Sequence, residues 1–198
     1  MTKRKMYNFA VVVAFFVAMC AVQLAAQEGK RIVLKMSTFS VEYDSALLIP
    51  VACDWLLFAS HLGKVRRPSS SRFREDERAP CPRATHDDYT RSGFDRGHLC
   101  PSADRSASRQ AMDETFIMTN VAPQAPALNR GPWKRYEDAA RAVARGGHQL
   151  RVHVDCVFWQ ADTQRIGTHG VAVPHGFVKT IRDFSTDSII FSRYFPNL

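Results

Sequence analysis

The sequence predicts an α+β domain, and three observations predict it. Residues 149–159, 171–181 and 188–195 are rich in β-branched and aromatic side chains, the composition of strands. One clear helix precedes them. No internal repeat, low-complexity tract or linker divides the chain. A length of 198 residues, 45% hydrophobic and 23% charged, suits one globular domain with a buried core, read as residues 27–198.

The first 26 residues are set apart. Lys3, Arg4 and Lys5 precede an unbroken apolar run of 14 residues, 9–22, and then Leu24, Ala25 and Ala26. A basic head, an apolar stretch of about 7–15 residues and small residues after it form a secretory signal, whereas a membrane span needs about 20. A secreted or periplasmic location is therefore expected, ahead of an uncleaved membrane anchor. A mitochondrial presequence fits less well, because the run is continuously apolar and not amphipathic. A lipid anchor on Cys20 is disfavoured by the large Met19 before it. With the signal cleaved, no stable membrane partner is expected.

Along the remaining chain, residues 52–62 (ACDWLLFASHL) are apolar, and periodicity leaves a strand and a short buried helix both open. Residues 64–83 (KVRRPSSSRFREDERAPCPR) are polar and aperiodic, which predicts an irregular surface loop of a length that tends to carry function. In 114–121 (ETFIMTNV), Phe116, Met118 and Asn120 alternate with Ile117, Thr119 and Val121, predicting a strand that ends at Ala122-Pro123. The helix is predicted from about Pro132 to just before Gly146-Gly147. Proline suits a first turn, whose N–H groups lack partners, and glycine closes a last turn. Trp133, Tyr136, Ala140 and Val143 form its apolar stripe, opposite Lys134, Arg135, Asp138 and Arg145.

The formal charge of +8 falls to +5 without Lys3, Arg4 and Lys5, since no acid lies among the first 26 residues. Such a surface draws polyanions. It does not by itself identify one. Cys53, Cys81, Cys100 and Cys156 remain, with no CxxC pair and no zinc-like His spacing. They are compatible with two disulfides in any of three connectivities, or with buried free thiols.

Three segments concentrate polar side chains beyond what folding requires: Asp95-Arg96-Gly97-His98, Thr119-Asn120 with Gln124, and Asn129 with Glu137. Phosphodiester hydrolysis asks for a base near neutral pH, which suits His with its ordinary pKa of about 6.5. It asks for a hard cation on oxygen ligands, to offset charge on phosphorus and the departing oxygen. Guanidinium forks on the phosphate oxygens complete the set.

The blocks FDRGHLCPSADR (94–105) and TNVAPQAPALNRGPWKRYE (119–137) resemble the DNA/RNA non-specific endonuclease family of the ββα-metal type. With RATHDDYTRSGFDRGHL (83–99), QAMDETFIMTNVAPQ (110–124) and HGVAVPHGFVK (169–179), the chain is most similar to the endonuclease G branch. The resemblance implies a central, mainly antiparallel sheet flanked by helices, and a finger of two strands and a helix that sets His98 opposite Asn129. It implies His98 as general base and Asn129 as protein ligand to Mg²⁺, with Mn²⁺ as a substitute. Glu137 would hold metal-bound water, and Arg96, Asn120 and Arg141 would contact or orient the phosphate and catalytic groups. DNA and RNA are the implied partners, products would carry 5′-phosphate and 3′-hydroxyl ends, and a homodimer is a further expectation.

Other readings stand beside this one. Glu137 and Arg141, four apart on one helix face, are expected to pair. Gln124, Arg72 and Arg74 are candidates for substrate contact. Asp95 reads as a turn cap before Gly97, and His61, His86, His148, His153, His169 and His175 are given no role. Tyr136 departs from the family's usual apolar residue before the Glu, and Asp155-Cys156 from its Gly-Pro. The rival functions are an inactive nucleic-acid-binding module and an exported phosphodiesterase for small nucleotides.

Overall fold

Alternation builds the main sheet. Along β3 (Ile49–Leu57), Val51, Cys53, Trp55 and Leu57 are buried while Asp54 is exposed. The same period runs through β6 (Leu150–Val157), where Leu150, Val152 and Val154 turn inward, and through β9 (Gly176–Asp183), where Phe177, Lys179 and Ile181 do. Period-two burial of this kind marks a sheet with one packed face and one solvated face. In this computed structural model the described residues are 30–68, 73–159 and 163–198. The segment predicted as an N-terminal signal and Arg72 therefore lie outside the described residues.

Six strands form the sheet in the order β1-β2-β3-β6-β9-β10, every neighbouring pair antiparallel. β1 (Arg31–Lys35), β2 (Phe39–Asp44) and β10 (Ile189–Pro196) complete it. Residues 31–198 pack as one compact unit. On the solvated face, His153 sits between Asp54 (2.8 Å) and Asp155 (2.9 Å). Hydrogen bonds to Asp155 and then Asp54 raise its pKa to about 10, so this histidine ties two strands together and has no place in the site.

On the packed face, a two-stranded ribbon of β4 (Asp95–His98) and β5 (Val121–Gln124) is joined by a helical connection. That connection is the turn Ser102–Arg105, helix α1 (Arg109–Glu114), capped by the Ser108 side chain accepting from Ala111 N–H, and the turn Met118–Asn120. The strand predicted over 114–121 is thus corrected: most of it is helix end and turn, and only Val121 enters β5. Residues 52–62 resolve as the end of β3 and a turn at Ala59–His61. β7 (Arg165–Ile166) pairs with β8 (Val171–Ala172), and the three C-terminal strand predictions correspond to β6, β8 with β9, and β10.

Helix α2 spans Lys134–Arg145 and is preceded by a short turn, Pro126–Leu128, and a wide turn, Asn129–Trp133. The regular helix starts two residues later than predicted, because Pro132 disfavours helical geometry in the residue before it, and Gly131 is non-helical (φ −106°, ψ −111°). The C-terminal prediction holds: Gly146 N–H donates to Ala142 O and Val143 O, and Gly147 takes φ +99°, a conformation glycine adopts without steric cost. The apolar stripe needs one correction. Val143 is exposed, and Ala144 is buried in its place.

Trp133 anchors α2 to the sheet through Phe177 and Phe195, each with ring centroids at 5.4 Å. Tyr136 stacks on Phe191 at 4.5 Å and accepts a hydrogen bond from Arg193 at 2.6 Å, so this departure from the family pattern is used to dock β10. All four cysteines among the described residues are free thiols, Cys53 and Cys100 buried. The disulfide alternative is set aside. Among the described residues, no helix is long and apolar enough to cross a membrane.

Candidate active site

The ribbon sets the first side chains of a cleft of about 720 Å³. Its register opposes Gly97 to Ala122 and His98 to Val121. A Cβ at Gly97 would meet Gln124 Oε1 at 2.3 Å, so the close packing beneath the cleft requires glycine. The His98 ring lies against Phe73 (4.9 Å) and edge-on to Phe116 (5.1 Å). Its Nε2 is buried with no hydrogen-bond partner among the described residues. Burial, followed by the Arg67 charge, pulls its pKa down to about 3. The imidazole is therefore neutral at ordinary pH, a weaker base than a free histidine but with an unprotonated ring nitrogen.

Asn129, in the wide turn before α2, also lines the cleft. Its Nδ2 donates to Asp95 Oδ2 at 2.9 Å, which leaves its Oδ1 as the end offered to a ligand. Arg130 forks onto the same carboxylate, Nε at 2.8 Å and Nη2 at 2.6 Å. Against the raising effect of burial, the hydrogen bonds from Arg130 and then Asn129 hold the Asp95 carboxyl below its ordinary value. Asp95 is therefore not a turn cap. It lies in β4 and orients Asn129 by a direct hydrogen bond.

Glu137 projects from the first turn of α2 into the same cleft. Burial pushes its carboxyl up to about 7, against the opposing pull of Lys179. The predicted pairing with Arg141 is not what forms. Arg141, itself buried, donates from Nη1 to Asp104 at 2.7 Å and from Nη2 to Asp138. Asp104 also accepts from Trp55 Nε1 at 2.9 Å. A buried guanidinium prefers the two carboxylates that give it direct hydrogen bonds, and the cation nearest Glu137 is Lys179, at 3.8 Å. Arg141 lines the cleft nevertheless.

Arg96 lines it as well, with Nη2 donating to His86 O (2.7 Å) and Thr90 Oγ1 (3.1 Å). Asn120 does not reach it. Fully buried, Asn120 donates to Cys100 O (2.9 Å) and Thr115 O (3.0 Å) and accepts from Cys100 N–H (3.0 Å). It is a positioning residue that pins the chain just after His98. Gln124 is likewise fully buried, packed over Gly97 and away from any substrate surface. Arg74 faces elsewhere, bridged to Ile117 and donating to Asp113 O at 3.2 Å. The sequence reading gave no role to Arg67, His86, Arg130 and Lys134, all of which line the cleft. The signal available was position: Arg130 follows Asn129, and Lys134 is one turn before Glu137 and Asp138.

The arrangement suits a hard, hydrated cation: the Asn129 amide oxygen, whose own nitrogen is anchored on Asp95, would face the ion, and the Glu137 carboxylate would hold one of the waters around it. Among the described residues, no cluster of three or more His, Cys, Asp or Glu side chains is built to cage a metal. An ion held here would keep most of its waters, as Mg²⁺ tends to do.

The sequence profile of the DNA/RNA non-specific endonuclease family matches residues 18–193, and the chain belongs to that family. The solved structure of the EndoG/EndoGI complex contains a chain that superposes with a TM-score of 0.77, at 27% identity, over 86% of this chain and 76% of that one. The fold is the ββα-metal nuclease fold. Mitochondrial endonuclease G of Homo sapiens is 41% identical over 119 residues, 55% of this chain and 40% of its own length. The nuclease of Nostoc sp. is 40% identical over 100 residues, 50% of this chain and 36% of its own length. Within the family the chain falls in the endonuclease G branch. It spans about 40% of the length of the first of these relatives.

Proposed function

We propose that this protein is a metal-dependent endonuclease that hydrolyses phosphodiester bonds in DNA and RNA with little sequence preference, leaving 5′-phosphate and 3′-hydroxyl ends. The observation that carries the reading is the buried, unpartnered Nε2 of His98, in one cleft with Asn129, Glu137 and a set of arginines. A buried ring nitrogen without a partner is costly. At the wall of a cationic cleft it is placed to act as a proton acceptor once substrate is bound.

In this reading His98 takes the proton of the attacking water as oxygen closes on phosphorus in line. The phosphate's negative charge opposes the effect of Arg67 and raises the basicity of the imidazole while substrate is bound. Arg96 and Arg141, held by their hydrogen bonds, present cationic edges to the phosphate. Asp95 aims Asn129, and Glu137 in its ionised form orients water. Mg²⁺ on Asn129, with Mn²⁺ as a substitute, would supply charge stabilisation at the departing oxygen. The basic head and apolar run at the N-terminus support export, to a secreted or periplasmic site.

The test is cleavage of plasmid and of RNA by the purified protein with Mg²⁺ or EDTA, beside His98→Ala. Cleavage is expected with Mg²⁺ and lost with EDTA, and His98→Ala lowers the rate by about 10²–10⁴-fold, the usual contribution of a general base. Since free His98 stays neutral, kcat/KM should fall as pH drops through about 7, where Glu137 takes up its proton. Cleavage that survives His98→Ala unchanged removes the mechanism.

A further inference from the structure

We propose that Lys179 is a positioning residue: a buried ammonium that supplies the counter-charge of Glu137 and keeps its carboxylate turned to the cleft. The inference rests on the role given to Glu137 above. Alternation places Lys179 on the core face of β9, between Phe177 and Ile181, where an apolar residue would pack at no electrostatic cost. It is 1% exposed. Its Nζ lies 3.7 Å from the centre of the Trp133 ring and 3.8 Å from Glu137 Oε1, and has no hydrogen-bond partner among the described residues.

A buried ammonium without hydrogen bonds is expensive, and packing alone would favour a hydrophobic side chain of similar volume. The charge therefore needs an account other than stability. The groups facing it are Glu137 and Arg141 from α2, Asp104 from the turn Ser102–Arg105, and Cys100 just before that turn. Arg141 is committed to Asp104 and Asp138, which leaves Lys179 as the near cation for Glu137. Glu137 lines the cleft and Lys179 does not, so the ammonium stands behind the carboxylate. The face of Trp133 supports it there through its negative quadrupole. Burial lowers the pKa of Lys179 and the Glu137 charge opposes that fall, just as the Lys179 charge opposes the rise that burial imposes on Glu137.

The test uses the metal-free protein. Lys179→Met keeps the length of the side chain and its contact with Trp133 while removing the charge. Protonation of Glu137 is followed across pH by the infrared carbonyl stretch of the protonated carboxyl, assigned by its loss in Glu137→Gln. The midpoint should rise by about one pH unit or more in Lys179→Met, a tenfold change in proton affinity, and return toward the wild-type value in Lys179→Arg. The acid limb of the cleavage profile should move with it, with KM little changed. Should Lys179→Met fail to fold, Lys179→Gln is read in the same way. An unmoved midpoint in a folded neutral variant overturns the proposal while leaving the nuclease reading intact. A moved midpoint in a protein that cleaves no nucleic acid supports the counter-charge and removes the nuclease reading.

Discussion

Burial holds the Glu137 carboxyl near pH 7, against 4.5 for the exposed side chain, and the gap is a stability statement. A group whose folded pKa is raised favours the folded state when protonated, so the fold is penalised as pH rises through about 7. A shift of about 2.5 units is on the order of 3 kcal/mol, nearly all of it present at pH 8 and little of it at pH 5. Glu137→Gln cannot ionise. Its stability relative to wild type should improve by about 2–3 kcal/mol between pH 5 and pH 8, measured by urea unfolding of the metal-free proteins. A pH-independent difference would show that Glu137 ionises freely in the fold. His98, Asn129 and Glu137 were legible because each belongs to a short block with fixed spacing. Lys179, Asp95 and Asp104 were not, because their partners lie far away in sequence: Asp104 accepts from Trp55 and Arg141, and Asp95 from Asn129.

The β4–β5 ribbon is only four residues on each side, and it carries His98 because two buried side chains fill the space beneath it. Gln124 occupies the volume that a Cβ at Gly97 would claim, and Asn120 ties the turn before β5 to Cys100. Gln124 is fully buried, so it has no solvent to swing into. Gly97→Ala should lower stability by about 1–3 kcal/mol, the usual cost of overpacking, and reduce cleavage by displacing His98. The double variant Gly97→Ala/Gln124→Ala makes room for the new methyl and should recover most of the loss in melting temperature. Equal destabilisation of single and double variants would sink this account. Sequence alternation misled over 114–121 for a related reason. Phe116, Ile117 and Met118 are all buried, enclosed from every side by a turn between α1 and β5, and a tightly enclosed turn can mimic a strand's composition. Where one face meets solvent, as along β6, the period was readable.

At the scale of the molecule, one face of the six-stranded sheet is solvated and the other carries the ribbon, α2 and the cleft, so the chemistry lies on one side. That division was not legible from net charge, since +8 does not say where the cations gather. Arg67, Arg96, Arg130, Lys134 and Arg141 all line the cleft, although they are spread over 75 positions of sequence, from 67 to 141. Arg96 and Arg141 are held by hydrogen bonds on the packed side of the cleft, whereas Lys134 stands exposed on α2 with Asp138 as its partner. A phosphate that replaces Asp138 at Lys134, and a second one at Arg67, would each release counterions from duplex DNA, and the slope of log affinity against log salt falls by about 0.9 for each such contact removed. In a His98→Ala background with EDTA, where cleavage is suppressed, Arg67→Ala/Lys134→Ala should therefore flatten that slope by about 1.8. The loss of affinity should be the same for two unrelated duplexes, because backbone contacts carry no sequence information. Arg182→Ala, on the solvated face of β9 opposite the cleft, should leave the slope unchanged. A slope indifferent to the cleft pair, or a loss confined to one duplex, would place the nucleic acid on another surface of the molecule.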